Sequence, residues 1–261
     1  MRVGDQQPPW RVVRAFPQEN GAALVHLHNV SGGVLSGDDL HLQIEVGPWA
    51  RAQVTSTGAT RLYRHRNGAA SQQTTSIFVA ESGLLEYLPD AVIPFAGSRH
   101  LQQTRIVLAG GATLFAWEII APGRQAMGER FLFDSLRLHT RIETPHGPVL
   151  IEEFLLQPRA RVLDSSARLG SYTHTATFYA VQAGRPGTDL RELERKLGEI
   201  AVQESRPGCT IWGTSALASD GVIVKGLSTT AHSLSATLAG FWAMAKIFLT
   251  GEEAVPPRKL K

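Results

Sequence analysis

The sequence contains one cysteine, Cys209, in 261 residues, so no disulfide can form within the chain. It has no long run of lysine or arginine, and its formal net charge of +3 is too small to indicate a nucleic-acid partner. The residues after Met1 lack the apolar core of a signal peptide. No apolar run approaches the length needed to cross a bilayer, and the longest, residues 234–249, is interrupted by polar residues. These absences predict a cytoplasmic protein with no membrane or nucleic-acid partner.

The sequence also lacks the common motifs of catalytic and metal sites, since HExxH, CxxC and GxSxG do not occur. The segment SGGVLSGD, residues 31–38, lacks the lysine of a phosphate-binding loop and precedes a strand pattern rather than a helix. His26 and His28 share one face of a predicted strand, where we expect both to face solvent, and two ligands do not make a zinc site. We therefore predict no catalytic residue, no cofactor-binding residue and no stable metal site. This absence mildly favours a binding or scaffold protein.

Alternating apolar residues indicate a chain rich in β-strands. Leu40, Leu42, Ile44 and Val46 occupy alternate positions, which is the period of a half-buried strand. Similar patterns recur with glycine or proline turn signals roughly every 8–12 residues, as in sandwiches and barrels. Further strands are predicted at residues 24–28, 52–57, 83–88, 104–108, 136–142, 149–156, 161–165, 172–181, 211–217 and 222–227.

Two helices are predicted late in the chain. The first is indicated by the spacing of Leu190, Leu193, Leu197 and Ile200, with Asp189 as its N-cap. The second is predicted over about residues 230–249, with Gly251 as its C-terminal stop.

No segment has the composition of a linker between domains. The predicted fold is therefore mainly β, an irregular many-stranded β sandwich or solenoid-like domain with two α-helices in the C-terminal quarter. We expect residues 1–261 to form a single domain.

An acid lies inside the most apolar of the strand patterns, which begins at residue 114. Glu118 is flanked by Trp117 and Ile119, and the Pro122–Gly123 pair after them predicts a turn. An unpaired buried carboxylate is costly, so Glu118 either faces solvent on a half-buried strand or has a partner inside the protein.

Four segments together resemble the UreD (UreH) family of urease accessory proteins. They are SGGVLSGD at residues 31–38, TSTGATRLYR at 55–64, LEYLPD at 85–90 and WEIIAPGRQAMGERF at 117–131. They occur in the family's order and span most of the chain, and Pro257-Arg258 matches as well. The residues that carry the resemblance are Gly32, Gly33, Gly37, Asp38, Tyr63, Arg64, Glu86, Pro89, Trp117, Glu118, Gly123, Arg124, Gly128 and Glu129.

The sequence departs from the family pattern at several positions within these segments. Ser56 and Thr57 replace a Thr-Pro pair, Arg61 replaces a lysine and Tyr87 replaces a tryptophan. The amino terminus is also shorter than is usual in the family, which leaves open any role of a first strand.

The resemblance implies a cytoplasmic, non-enzymatic nickel-insertion chaperone. Such a protein binds apo-urease and recruits a helical UreF-type protein and a UreG-type GTPase, so that nickel enters the urease active site. No cofactor is implied to bind stably, and transient passage of Ni²⁺ is a hypothesis only.

Three acids in the family-like segments are candidates for a nickel passage, namely Asp38, Glu118 and Glu129. Oxygen ligands bind such an ion loosely enough to release it. The structural alternative, which we favour, is that Asp38 caps a turn and that Glu118 or Glu129 pairs with Arg124 or Arg130.

The helical partner is expected to dock on exposed apolar residues of the two late helices or of the tail, residues 256–261. For most of these positions, the favoured alternative is that the helices only cover the β core.

Two other classes of function remain open. A β-rich hydrolase or isomerase would use carboxylates such as Glu118 and Glu129 and would need a small-molecule pocket. A carbohydrate-binding β-sandwich module is favoured by the five tryptophans and disfavoured by the missing secretion signal.

Overall fold

The structure, a computed structural model, describes residues 1–65 and 68–257. The mainly β, irregular sandwich or solenoid-like fold with two late helices is confirmed. Arg258, which belongs to the family-like tail, lies outside the described residues, as do residues 259–261.

The strands are β1 Trp10–Arg11, β2 Ala15–Pro17, β3 Ala23–Asn29, β4 Asp39–Val46, β5 Arg51–Ser56, β6 Thr60–Leu62, β7 Ser71–Val79, β8 Leu84–Tyr87, β9 Val92–Pro94, β10 Arg99–Leu108, β11 Thr113–Ile120, β12 Ser135–Thr144, β13 Gly147–Leu156, β14 His174–Gln182, β15 Thr210–Ala216 and β16 Gly221–Ser228. The helices are α1 Gly187–Glu204 and α2 Ala231–Thr250, and a short 3-10 turn spans Gln125–Met127.

The strands form a large sheet and a small sheet that pack face to face. The large sheet has eleven strands with the central order β1-β3-β5-β8-β11-β14-β16-β15, and β2, β6 and β9 attach at its sides. The small sheet has the order β13-β12-β10-β7-β4. Along the chain the strands pass repeatedly from one sheet to the other, which gives the arrangement its solenoid-like winding.

Much of the pairing is parallel and in close register. In the small sheet β4, β7, β10 and β12 are parallel neighbours, so that Thr104 pairs with both Thr75 and Thr140. Parallel neighbours cannot be joined by a hairpin, and here the connections run through strands of the large sheet.

The apolar residues form three clusters in two layers. One cluster packs the helices onto the outer face of the large sheet and includes Phe115, Phe178 and Trp242. The other two lie between the sheets at different places, one around Leu114 and the other around Phe133. Burial of these side chains is the main source of stability for the sandwich.

Helix α1 buries Leu190, Leu193 and Leu197 as their spacing predicts. The predicted N-cap is wrong, because the helix begins at Gly187 and Pro186 occupies the cap position without a side-chain bond. Asp189 instead lies in the first turn, where a negative charge suits the helix dipole.

Helix α2 begins and ends close to the predicted positions. The hydroxyl oxygen of Thr230 accepts a bond from Ser233 N, and Gly251 ends the helix in a left-handed conformation (φ 74°). The expectation that no apolar run is long enough to cross a bilayer is wrong for this helix. By length and composition alone, its 20 residues could cross one. Length and composition are weak evidence of a membrane span, because a helix packed in a protein core can have both.

The predicted strand at residues 161–165 is wrong. This segment lies in a run of turns, where Leu169 N donates to Leu163 O and Arg168 Nη1 donates to Val162 O. Leu163 and Leu169 are buried in the cluster around Phe133, while Val162 is exposed. The adjacent apolar residues Val162 and Leu163 therefore belong to an anchored loop rather than to a strand.

A buried ion pair fastens α2 to the large sheet. Lys246 Nζ lies 2.9 Å from Glu86 Oε1, and both side chains are almost completely inaccessible. The Trp242 indole donates to the same carboxylate at 2.8 Å, and Gln53 Nε2 donates to its other oxygen at 3.1 Å. Gln53 Nε2 also donates to the carbonyl of Val255, so the network ties down the segment after the helix.

Replacing Lys246 by methionine leaves the Glu86 carboxylate buried without its counter-charge. We expect the free energy of unfolding to fall by about 3–5 kcal/mol, because breaking one side of a buried pair is more costly than removing both. The Glu86→Gln/Lys246→Met double variant is expected to lose less. Urea unfolding measures the difference, with Lys196→Met, which removes an exposed pair with Glu192, as the control. Equal losses for Lys246→Met and the control would contradict this role of the pair.

Candidate functional site

Polar side chains of both sheets meet beside the central strand β11. Leu114 and Ala116 on this strand face the small sheet, and Glu118 follows in the same alternation. Of the two alternatives for Glu118, the structure supports a partner inside the protein, because the half-buried carboxylate contacts polar residues between the sheets. We name this group the inter-sheet polar cluster, and its members are Gln102, Glu118, Thr140, Glu152 and Tyr179.

Glu118 binds residues of three neighbouring strands. The Thr140 hydroxyl donates to Glu118 Oε1 at 3.2 Å, and Gln102 Nε2 lies 3.5 Å from the same oxygen. The Tyr179 hydroxyl lies 3.4 Å from Glu118 Oε2 and 2.9 Å from Glu152 Oε2. One phenol thus bridges two carboxylates, which brings two negative charges close together.

This environment changes the protonation of Glu118. The pKa of Glu118 is raised to about 7, chiefly by burial and next by the negative charge of Glu152. The hydrogen bonds from Thr140 and Tyr179 and the charge of Lys225 act in the opposite direction. Near neutral pH the carboxyl of Glu118 therefore exists in both protonation states.

The tyrosines of this region remain hydrogen-bond donors. Burial raises the pKa of Tyr179 well above its ordinary value, and the charges of Glu118 and Glu152 add to the effect. Burial also raises the pKa of Tyr87, and the negative charge of Glu118 is the second cause of that rise. Both phenols are protonated throughout the physiological pH range.

Asp38 has a structural role in a turn. Its carboxylate oxygen Oδ2 accepts a bond from Leu35 N at 2.8 Å, and its own N–H donates to Leu35 O at 3.1 Å. The backbone carbonyl of Asp38 accepts from Gln72 N at 2.7 Å. These bonds fit the turn-capping alternative rather than a free ligand.

Glu129 has an arginine partner. Both of its carboxylate oxygens bind the Arg124 guanidinium, with Nε 2.8 Å from Oε2, and Ala96 N donates to Oε2 at 3.2 Å. The bond from Arg124 is the main reason that the pKa of Glu129 lies below its ordinary value. Glu118 and Glu129 have no hydrogen-bond partner in common among the described residues, so the structure does not bring them into one site.

Several of the family-like segments converge on one surface. Val34 N donates to Arg61 O, and Tyr63 N donates to Val34 O. Further along, Gly97 N donates to Leu132 O. We name this group of hydrogen-bonded loops the loop surface, and it comprises residues 31–38, 61–64, 93–98 and 122–132.

Aromatic and cationic side chains hold the loop surface together. The Phe95 ring lies edge-on to Tyr63, with centroids 5.1 Å apart, and the Arg124 guanidinium lies 4.2 Å from the Phe95 centroid. A Cβ at Gly33 would come within 2.5 Å of the Tyr63 ring and 2.6 Å of Arg61 O. Only glycine therefore allows the two loops to approach so closely.

Other family-like residues lie at the helix side of the large sheet. Glu86 belongs to the buried network with Lys246, and the Trp117 indole donates to the carbonyl of Pro89 at 2.8 Å. These three residues hold the core rather than an open site.

Sequence reasoning missed the residues that surround Glu118. Tyr179 stands within the strand predicted at residues 172–181, and Glu152 within the one predicted at residues 149–156. Lys225 pairs with Glu152 across the sheets. The only available signal was the unusual position of Glu118, which required some partner but did not identify it.

The two histidines of β3 are less exposed to solvent than expected. His26 is buried with its ring edge-on to Phe16, centroids 5.7 Å apart, and His28 is half-buried. Residues 1–65 and 68–257 contain no group of three or more His, Cys, Asp or Glu side chains that could hold a metal ion.

Two cavities of about 260 and 320 Å³ lie on the outer face of the small sheet. His139 and Gln103 line both of them. Neither cavity is lined by Glu118 or Glu129, so these two cavities give no support to an enzyme that uses those carboxylates.

Comparison with known proteins gives a consistent result. Residues 2–261 match the family model described as UreD urease accessory protein. The chain is 40% identical over 260 residues to the urease accessory protein UreD of Herpetosiphon aurantiacus, covering 100% of this chain and 91% of that protein. It is 33% identical over 248 residues to UreD of Cenarchaeum symbiosum, covering 93% and 85%, and 31% identical over 239 residues to UreD of Haloarcula marismortui, covering 91% and 77%.

The raised pKa of Glu118 predicts a pH-dependent stability. The folded protein binds a proton more readily than the unfolded chain, so this group lowers stability as pH rises from its ordinary pKa of 4.5 to about 7. Glu118→Gln removes that loss, and the variant is expected to exceed the parent by on the order of 1–3 kcal/mol at about pH 8 but not at about pH 4.

Urea unfolding at the two pH values measures this difference. Glu153→Gln is the matched control, because Arg137 lowers the pKa of Glu153 and no gain at high pH is expected there. A Glu118→Gln variant that unfolds like the parent at both pH values would contradict the prediction.

Proposed function

The chain belongs to the UreD family of urease accessory proteins, and we propose that it is a cytoplasmic, non-enzymatic scaffold for nickel insertion into urease. In this function it binds apo-urease and recruits a helical UreF-type protein and a UreG-type GTPase. The observation that carries the proposal is the family match over residues 2–261.

The arrangement of the surface supports a binding role. The loop surface exposes Leu35, Met127 and Leu132 on a framework fixed by hydrogen bonds. The two candidate catalytic acids, Glu118 and Glu129, share no hydrogen-bond partner among the described residues. Large exposed apolar side chains grouped on one face mark protein interaction sites. The exposed Ile247 of α2 and Val202 of α1 remain candidate contacts for the helical partner.

Of the three acids considered for nickel, Glu118 is the one best placed to contact a passing ion. Asp38 is committed to its turn and Glu129 to Arg124. Around Glu118, by contrast, Glu152, Tyr179 and Thr140 add further oxygen atoms between the sheets. Oxygen ligands hold Ni²⁺ less tightly than imidazole or thiolate, which suits a cargo ion that must be released.

The pKa of Glu118 suggests how pH affects such a passage. A proton and a metal ion compete for the same carboxylate, so binding of Ni²⁺ weakens as the pH falls below about 7. Near neutral pH the group changes readily between the two states.

The carbohydrate-binding alternative finds little support. Trp212 and Trp242 are buried, Trp10 and Trp117 are half-buried, and Trp49 is exposed. A flat aromatic platform needs several exposed rings, and only Trp49 of the five would offer its ring to a sugar.

Complex formation tests the scaffold function. Co-expression of this chain with the UreF-type protein of the same organism should give a soluble complex on a sizing column, and addition of apo-urease should shift that complex to larger size. A chain that stays soluble and monomeric with both proteins present would contradict the proposal and favour a search for a substrate pocket.

The nickel passage is tested by three variants in the assembled complex. Glu118→Gln is expected to reduce nickel-dependent urease activation by about tenfold or more without loss of assembly, as for loss of a metal contact. Asp38→Asn and Glu129→Gln are expected to reduce activation only as far as they reduce the amount of complex. Normal activation by Glu118→Gln with normal assembly would exclude Glu118 from the passage.

A further inference from the structure

Strand β4 forms a free edge of the small sheet. It pairs in parallel with β7 from Asp39 to Val46, and no strand of residues 1–65 and 68–257 pairs with its other side. A free edge presents a row of backbone N–H and C=O groups with which another extended chain can pair. With eight residues, β4 is long enough to take a full strand on that side.

The apolar side chains of β4 that face the large sheet are incompletely covered. Leu42 and Ile44 pack against the cluster around Leu114, yet both are only half-buried. Their register neighbours on β7, Thr75 and Ile77, are 1% and 3% exposed, because β7 has a strand on each side. A strand beside β4 gives Leu42 and Ile44 the same cover if it places apolar residues on this face of the sheet.

The opposite face of β4 is acidic. Asp39, His41, Gln43 and Glu45 alternate along it, and all four are exposed. Asp39 Oδ1 lies 3.3 Å from His41 Nε2, and Glu45 Oε1 accepts a bond from Gln43 Nε2 at 2.7 Å. Neither carboxylate has a lysine or arginine partner in the described part of the chain. This face of the edge therefore carries negative charge that no permanent cation balances.

The acids of the other edge strand of the small sheet are neutralised. On β13, Glu152 pairs with Lys225 and Glu153 pairs with Arg137. Between the two edges, the first arginine along the rows of the sheet from β4 is Arg105, and a glutamate of β12 already binds it. Unpaired acids thus distinguish β4 from β13. They favour a basic neighbour, since opposite charges on adjacent strands stabilise the pairing.

The same acids disfavour a second copy of this chain as the neighbour. In the register that overlaps residues 39–45 of two antiparallel copies, Asp39 of each copy lies opposite Glu45 of the other. Like charges directly opposite each other on neighbouring strands destabilise pairing, and charged residues commonly protect edge strands from self-association. The edge therefore rejects a strand like itself and remains open to a basic one.

We propose that β4 is a strand-addition site for an extended segment of a partner protein in which apolar and basic residues alternate. The apolar residues of that segment cover Leu42 and Ile44, and its basic residues lie beside Asp39 and Glu45. Backbone pairing supplies the affinity, and the two rows of side chains supply the specificity. The site is defined by this chain alone, so it does not depend on the scaffold function proposed above.

Synthetic peptides test the alternation. The probe is the fluorescently labelled peptide TVRVKVRT, titrated with the full-length chain and followed by anisotropy. We expect saturable binding, because its valines and its basic residues lie on opposite faces of a strand. The peptide TVVVRKRT has the same composition without the alternation and is expected to bind about tenfold more weakly or less. The acidic peptide TVEVEVET should show no saturable binding.

Charge reversal on β4 tests the acidic row. Asp39→Lys/Glu45→Lys is expected to weaken binding of TVRVKVRT by about tenfold or more and to gain binding of TVEVEVET, because the attractive cross-strand pairs become repulsive and the reverse. Asp164→Lys/Glu253→Lys changes the net charge equally at exposed acids outside β4 and should bind like the parent. Circular dichroism and the unfolding midpoint verify that each variant is folded.

Hydrogen exchange locates the bound peptide. With TVRVKVRT bound, slower exchange is expected in residues 39–46 and not in β13, residues 147–156. No saturable binding, equal binding of TVVVRKRT, or protection confined to other segments would overturn the proposal. A dimer of the chain alone that protects residues 39–46 would mean that a second copy occupies the edge, and the assigned occupant would be wrong.

Discussion

Burial of β11 on both faces is the constraint on which the rest of the structure depends. Phe115 and Ile119 point to the helices, while Leu114 and Ala116 point to the small sheet. A polar group on a strand in this position is largely shielded from water, so it takes hydrogen bonds from its neighbours. Glu118, which is half-buried, accordingly has its hydrogen-bond partners on strands of both sheets.

Two carboxylates of the large sheet, the fully buried Glu86 and the half-buried Glu118, meet that constraint in different ways. Glu86 has the full charge of Lys246 at 2.9 Å together with an indole and an amide, so it forms a closed network that fastens a helix. Glu118 has neutral donors and a second carboxylate nearby, and its pKa rises to about 7. The first arrangement is suited to holding structure and the second to exchanging a proton or a cation.

The loop surface forms because the chain passes repeatedly from one sheet to the other. Successive crossings bring loops from distant parts of the sequence to one place, where hydrogen bonds and the stacking of Arg124 on Phe95 lock them together. Apolar side chains that cannot reach the core remain exposed on this rigid framework. A scaffold for a large partner needs such a surface more than it needs a deep pocket.

The sequence by itself determined the β-rich class, both helices and the family, because periodicity and motif order are local properties of the chain. It predicted a strand at residues 161–165 wrongly, since the apolar pair Val162-Leu163 lies in a loop that Leu163 anchors to the core. Only the tertiary structure decided the parallel pairing, the meeting of Glu118 with Tyr179, and the partner of Lys246. Those contacts join residues far apart in sequence, and the free energy that selects them comes from packing and desolvation, which no local pattern records.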